Sequence, residues 1–118
     1  MTTRSGGTPP TRGELLPGTL EMLVLKTLSD APMHGYGIAQ RIERLSSEVL
    51  RVEVGSLYPA LQRMEAKGWI SSRWGRTPTN RRARYYELTR KGARQLAVEV
   101  SAFDRVIAAI RGVLDPTT

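Results

Sequence analysis

The sequence has no cysteine and only one histidine, His34. The absence of cysteine excludes a disulfide framework, a zinc site built on thiolates and a cysteine nucleophile. A single histidine cannot form a histidine metal site by itself, and no pair of residues suggests a nucleophile with its base. The residues therefore give no indication of an enzyme, a metal ion or a cofactor.

Long apolar runs are also missing. A membrane-spanning helix needs about 18 or more consecutive apolar residues, and the sequence contains no such run. The first ten residues have no apolar segment typical of a secretion signal. The 118 residues, 40% hydrophobic and 25% charged, are typical of one globular domain. We therefore expect a cytoplasmic protein without a membrane segment.

Acidic residues are scarce in the central part of the chain. Residues 51–94 contain eleven lysines and arginines but only three acidic residues, and the rest of the chain is nearly neutral. Fifteen of the 18 basic residues are arginine, whose planar guanidinium binds phosphate and guanine in bidentate fashion. The charge pattern favours a polyanionic partner; the alternative is a basic surface that only reflects the composition of a genome.

Apolar spacing predicts three helices in the first part of the chain. After a flexible arm at residues 1–14, a mostly buried helix is expected to begin with Thr19 as its cap and to stop before Pro32. A second helix is expected from about residues 35–37. The weakly alternating residues 49–53 are compatible with a short strand.

A third helix is predicted near residues 54–66, and its outer face is a candidate contact surface for the polyanion. Leu57, Leu61 and Met64 form its inner stripe, and Pro59 is expected in the first turn, where its missing N–H costs nothing. The side chains on the outer face are small near the start of the helix and polar or basic further along it. The candidate contacts on this face are Ser56, Tyr58, Gln62 and Arg63, although Tyr58 has a half-buried structural role as an alternative.

Two aromatic-rich runs, Trp69–Trp74 and Arg84–Leu88, predict a hairpin. The polar residues 75–83 between them form a basic tip. We expect arginines of this hairpin to contact the polyanion, and a hairpin that is merely solvated in the free protein is the alternative. The candidate contacts are Arg81, Arg82 and Arg84.

A long helix is predicted after Thr89, its expected cap. Its apolar residues alternate in steps of four and three, which keeps one seam facing a partner. We expect this seam to form a homodimer; packing on its own domain alone is the alternative. The predicted interface residues are Leu96, Val100, Phe103, Ile107, Ile110 and Leu114.

Three helices, a basic hairpin and a long final helix follow the order of a winged helix-turn-helix DNA-binding domain. We therefore expect a mainly α, α+β fold with a DNA-binding domain at residues 15–88 and a dimerisation helix and tail at residues 89–118. The runs GSLYPAL at 55–61, MEAKGWI at 64–70 and RRARYYELT at 81–89 also carry a resemblance. Together with LPG at 16–18 and MHGYGI at 33–38, they resemble the PadR family of bacterial transcriptional regulators, in its small subfamily with a single C-terminal helix.

The resemblance implies a homodimer that represses transcription from a near-palindromic operator and is often released by a small molecule. It also implies that Tyr36, at the start of the second helix, is a second phosphate clamp, with core packing as the alternative. Phe103 lies where some small family members carry an aromatic that stacks planar hydrophobic compounds, and ordinary core packing is its alternative. The N-terminal arm has no counterpart in the family.

Two other functions remain open at the level of the sequence. A non-specific nucleic-acid-binding protein would share the basic surface but show little sequence preference. A winged-helix protein-interaction adaptor would share the fold. It would have no need of an arginine-bearing tip, so the charge pattern favours the sequence-specific DNA-binding regulator.

Overall fold

The computed structural model describes residues 18–116, so the predicted arm at residues 1–14 lies outside the described residues. In chain order the elements are α1 (Thr19–Leu28), β1 (Met33–His34), α2 (Gly35–Leu45), α3 (Val54–Ala66), β2 (Ile70–Arg76), β3 (Arg82–Leu88) and α4 (Arg90–Leu114). The three strands form one antiparallel sheet in the order β1-β3-β2. The expected fold, α+β with a winged hairpin and a long C-terminal helix, is confirmed.

The core lies between the first three helices and the sheet. The helical stripe predicted for α3 is confirmed, because Leu57, Leu61 and Met64 are completely buried. Leu25 of α1 and Ile38 of α2 meet them from the other helices. Each such side chain contributes about 1.5–3 kcal/mol through removal of its apolar surface from water, so this small core holds the first three helices in place.

Two details of the helix starts differ from the prediction. Gly18, with φ of 83°, is the N-cap of α1, and Thr19 is its first helical residue, without a side-chain cap. Only glycine adopts this left-handed conformation at no steric cost, which is why the helix begins there. Pro59 is the sixth residue of α3, beyond the first turn, so α3 lacks the backbone bond that would reach the carbonyl of Gly55.

A glycine in the left-handed conformation ends α3. Gly68 has φ of 79°; its N–H donates to the Glu65 carbonyl at 3.0 Å, and the Trp69 N–H donates to the Met64 carbonyl at 3.0 Å. These two bonds form a Schellman motif, which ends the helix and turns the chain into β2.

The possible strand at residues 49–53 is not formed; this segment is part of the loop between α2 and α3. Two side chains from α2 and its C-cap hold the loop. Glu43 accepts a hydrogen bond from the Val52 N–H at 3.1 Å, and Ser46 Oγ accepts one from the Leu50 N–H at 3.1 Å. These bonds satisfy backbone groups that a strand would have paired.

The helix α4 begins as predicted, since Thr89 Oγ1 accepts a hydrogen bond from the Gly92 N–H at 3.0 Å. Leu96 packs against the core, and α4 then runs along α1. Beyond this contact, its predicted seam is open to solvent in the single chain, with Ile107 38% and Ile110 47% exposed. An apolar stripe of this kind is typical of a surface that another chain covers.

Candidate nucleic-acid interface

The hairpin of β2 and β3, hereafter the wing, and the N-terminal ends of α2 and α3 enclose a groove of about 960 Å³. Five of the eight predicted DNA-contacting residues line it: Tyr36, Tyr58, Arg81, Arg82 and Arg84. None of the described residues that line it is acidic. A concave surface with one sign of charge concentrates a polyanion, because the low-dielectric walls focus the electric field.

The start of α2 forms one wall of the groove. His34 is the N-cap of α2, and its Nδ1 accepts a hydrogen bond from the Gly37 N–H at 3.1 Å. The ring of Tyr36 lies parallel to the ring of His34, with 6.5 Å between centroids, and is 65% exposed. Tyr36 is therefore a surface residue and not part of the core, and its hydroxyl accepts a hydrogen bond from Gln40 Nε2 at 3.1 Å.

Tyr58 joins α3 to the start of α2. Its side chain is 42% exposed, and a Cβ built on Gly35 would lie 2.5 Å from its hydroxyl oxygen. Only glycine at position 35 allows this approach. The half-buried structural role considered for Tyr58 is therefore present, because its hydroxyl end packs against α2, and the same side chain also lines the groove.

The other three α3 candidates lie outside the groove, on the exposed outer face of the helix. Ser56 and Gln62 are exposed there. Arg63 is exposed as well, but it donates from Nε and from a terminal nitrogen to Glu21 Oε2 of α1, at 3.3 and 3.2 Å. Glu21 therefore competes with any anion that would bind Arg63.

Arginines on the wing are held in two different ways. Arg84 donates from Nε to Ser72 Oγ at 2.9 Å, and Ser72 in turn donates to Glu65 Oε2 of α3 at 2.6 Å. Arg82 instead lies over the ring of Trp74, 4.3 Å from its centroid. These hydrogen bonds from Arg84 through Ser72 to Glu65 attach the wing to α3 and fix the position of the wing relative to that helix.

The tip of the wing is shorter than predicted, because β2 extends to Arg76 and β3 begins at Arg82. The Thr77 N–H donates to the Arg81 carbonyl at 2.8 Å, and the Arg81 N–H donates to Thr77 Oγ1 at 3.1 Å. Asn80 takes the left-handed conformation, with φ of 64°, which asparagine tolerates better than most residues. These bonds give the arginine-bearing tip a defined backbone.

Burial raises the pKa of the Tyr86 hydroxyl above its ordinary value, and the nearby Arg84 lowers it in part. Tyr86 belongs to the core and lines the floor of the groove. A tyrosine hydroxyl is neutral at physiological pH even at its ordinary pKa of about 10, so Tyr86 adds no negative charge to the groove.

A second, smaller groove of about 270 Å³ lies between α1 and α4. Its walls include Met22 of α1 and Phe103, Ala102 and Val106 of α4. Phe103 is 38% exposed, so it is not ordinary core in the single chain. Glu99 also lines this groove and accepts a hydrogen bond from Gln95 at 2.9 Å.

Within residues 18–116, no helix is long and apolar enough to cross a membrane. No group of three or more metal-ligating side chains comes together in the same part of the chain.

Several residues of the interface were not singled out as site residues from the sequence. Histidine is not among the preferred cap residues, so no local signal indicated that His34 caps α2. The packing of Tyr58 on Gly35 and the bond of Arg84 to Ser72 join distant segments, and only the fold brings them together. The strand register places Arg84 directly opposite Trp74, and Arg82, its diagonal neighbour, lies over the ring.

Comparison with known proteins agrees with this geometry. Residues 24–98 match the Transcriptional regulator PadR-like family. The chain belongs to this family. The PadR family consists of transcriptional regulators and not of enzymes. The family to which the chain belongs therefore agrees with the expectation that the chain is not an enzyme.

Two solved structures of the PadR family are similar over most of this chain. A PadR family transcriptional regulator from Eggerthella lenta is 28% identical with a TM-score of 0.70, covering 85% of each chain. A PadR-like transcriptional regulator from Bacillus cereus is 25% identical with a TM-score of 0.72, covering 85% of this chain and 95% of that one. An uncharacterised protein X from Lysinibacillus sphaericus is 25% identical over 95 residues, 80% of this chain and 87% of its own length.

Proposed function

We propose that this PadR family member is a homodimeric repressor that binds a near-palindromic DNA operator and is released by a small molecule. The observation that carries the proposal is the groove between the wing and the ends of α2 and α3, which three arginines line and no described acidic residue enters. Its cationic walls and exposed hydroxyls are complementary to the sugar–phosphate backbone of DNA.

In this proposal the groove positions the protein and α3 reads the sequence. The hydroxyls of Tyr36 and Tyr58 and the guanidinium of Arg82 bind phosphates beside the major groove. The exposed outer face of α3 then faces the base edges, where Gln62 is long enough to bind adenine. Ser56, at the start of the helix, is short and donates to a phosphate.

The remaining three arginines of the candidate site contribute differently. Arg81, at the wing tip, forms no ion pair with the described residues and is available to a phosphate. Arg84 is engaged with Ser72 and Glu65, so it contributes positive potential and keeps the wing in place. Arg63 reaches DNA only when it leaves Glu21.

The exposed apolar seam of α4 supports the homodimer. Val100, Phe103, Ile107, Ile110 and Leu114 are all at least 38% exposed in the single chain, and an isolated soluble chain rarely leaves so continuous an apolar stripe in water. A two-fold dimer through this seam presents two α3 helices, which fit successive major grooves when they lie about 34–36 Å apart.

The groove beside Phe103 supports the effector. A planar apolar molecule there would gain ring stacking and would bury apolar surface. Because the same groove joins α1 to the dimerisation helix, a molecule that favours a different helix arrangement would also change the spacing of the two α3 helices.

The test is quantitative binding of the purified full chain to duplexes from its own upstream region and to scrambled duplexes, with and without a panel of planar aromatic compounds. We expect the specific duplex to bind at least about 10³-fold more tightly than the scrambled one and at least one compound to weaken only the wild type and not a Phe103→Ala variant. Equal affinity for both duplexes would indicate a non-specific nucleic-acid-binding protein. The absence of binding to either would favour the protein-interaction adaptor.

A further inference from the structure

Trp74 and Arg82 form an exposed stack on the wing. The guanidinium carbon of Arg82 lies 4.3 Å from the centroid of the Trp74 ring, and that of Arg84 lies at 5.5 Å. The Trp74 side chain is 54% exposed and is absent from the hydrophobic core. Core packing therefore does not explain a tryptophan at this position.

The two arginines beside Trp74 differ in what else holds them. Arg84 is bound to Ser72 and lies 3.8 Å from Glu65 Oε2. The Arg82 side chain makes no hydrogen bond or ion pair with any residue from 18 to 116, and the indole ring is the group against which it lies. Without that ring, Arg82 would be a long, solvated side chain with many rotamers.

We propose that Trp74 is a positioning residue that holds Arg82 in the orientation in which it binds a DNA phosphate. The inference rests on the proposed function, because it assigns a supporting residue to the same interface. A guanidinium that already lies over an indole ring has fewer accessible rotamers, so it loses less rotamer freedom when it binds an anion. The ring and Arg82 both line the groove, so the stack holds the cation where the phosphate would lie.

The expected effect is modest and measurable. A cation–π contact at an exposed site corresponds to a change of about two- to fivefold in an equilibrium constant. Trp74→Leu should therefore weaken operator binding by about two- to fivefold. Because all charges remain, the slope of log K against log salt should stay unchanged, whereas Arg82→Ala should reduce the magnitude of that slope by about 1.

A double-mutant cycle separates positioning from direct contact. The dissociation constant for the operator duplex is measured for the wild type, Trp74→Leu, Arg82→Ala and the double variant. If Trp74 acts through Arg82, the Trp74→Leu change should have no further effect in the Arg82→Ala background. Arg73→Ala is the matched control for Arg82→Ala, because it removes one arginine from the neighbouring strand β2 of the same wing, on the opposite face of the sheet from Trp74.

Trp74→Phe is the second variant, and it should lose less affinity than Trp74→Leu because it retains an aromatic face. The thermal midpoint of each variant confirms that the fold is intact. An equal loss from Trp74→Leu in both backgrounds would overturn the inference, since Trp74 would then contact DNA itself. No loss in the wild-type background would overturn it as well and would leave the proposed function intact, whereas a wild type that binds no duplex would overturn both.

Discussion

The hydroxyl of Tyr58 packs against the backbone of Gly35, at a distance that leaves no room for a side chain at position 35. This contact joins α3 to the capped start of α2, where His34 and Tyr36 form one wall of the groove that we propose binds DNA. A glycine on one helix thus determines where a tyrosine hydroxyl on another helix lies.

Gly35→Ala should weaken DNA binding with little effect on stability. The new Cβ would displace the Tyr58 hydroxyl, which is the far end of a half-exposed side chain. Because Gly35 is the first residue of α2, the gain in helix propensity from alanine is below the roughly 1 kcal/mol of a helix interior. We expect operator affinity to fall by about tenfold, the equivalent of one hydrogen bond to a charged group. Fluorescence anisotropy measures the operator affinity, and thermal unfolding measures the stability.

The control for this substitution is Gly112→Ala, because a Cβ on Gly112 would meet no atom within 4 Å. It should leave operator affinity unchanged. A Gly35→Ala protein that binds as tightly as the wild type would show that the Tyr58 hydroxyl has no role at the interface.

Glu21→Gln should strengthen DNA binding through Arg63. The substitution removes the ion pair at 3.2 Å, and Arg63 becomes available to an anion. We expect about a two- to fivefold gain in affinity, in keeping with a partly exposed pair worth less than about 1 kcal/mol. Titrations of a labelled duplex at two salt concentrations measure the gain.

Glu48→Gln makes the same change in net charge at an exposed ion pair with Arg51 and serves as the control. The Glu21 effect should exceed the Glu48 effect and should disappear in an Arg63→Ala background. Equal gains from both substitutions would attribute the change to net charge alone.

Ile107→Asp should convert a dimer into a folded monomer. Ile107 is 38% exposed in the single chain, so the charge is costly only where a partner covers it. Light scattering should give half the mass of the wild type with unchanged helical circular dichroism. Ala108→Asp, one residue further along α4 and away from the predicted seam, should remain dimeric; a dimeric Ile107→Asp protein would place the interface elsewhere.

Gly92→Ala should strongly destabilise the fold. A Cβ at this position would overlap the Trp69 carbonyl and would lie 2.8 Å from Leu88 Cδ1, and backbone atoms cannot move aside as a side-chain end can. We expect a loss of about 2–3 kcal/mol in the free energy of unfolding, measured by urea denaturation. Gly112→Ala in the same helix should instead be neutral or slightly stabilising, and comparable behaviour of the two variants would contradict this packing.

Stability should fall at alkaline pH in a way that depends on Tyr86. Its pKa is raised in the folded chain, mainly by burial, so the folded state retains this proton when the unfolded state has lost it. The stabilisation is complete below the ordinary tyrosine pKa of about 10 and is lost as the pH rises through the folded value. Urea titrations between about pH 8 and 11 should show a steeper decline for the wild type than for Tyr86→Phe; parallel curves would argue against a raised pKa.

The elements that the sequence determined are those whose signals lie within a few residues of one another. The inner stripe of α3 and the cap at Thr89 each follow from local geometry, because burial and helix ends act over one or two turns. The same holds for the apolar seam of α4. The family resemblance rested on short runs of this kind, and the family match confirmed it.

The tertiary structure alone decided which of the arginines are free to bind an anion and which are engaged by other side chains. In the sequence, Arg63 looks like any arginine on the exposed face of a helix. In the structure, Glu21, 42 residues away, binds it. Arg84 and Arg82 are two residues apart on one strand, but one is bound to Ser72 and the other lies on Trp74. A side chain's partner is set by which distant segments the core brings together, and periodicity carries no information about that pairing.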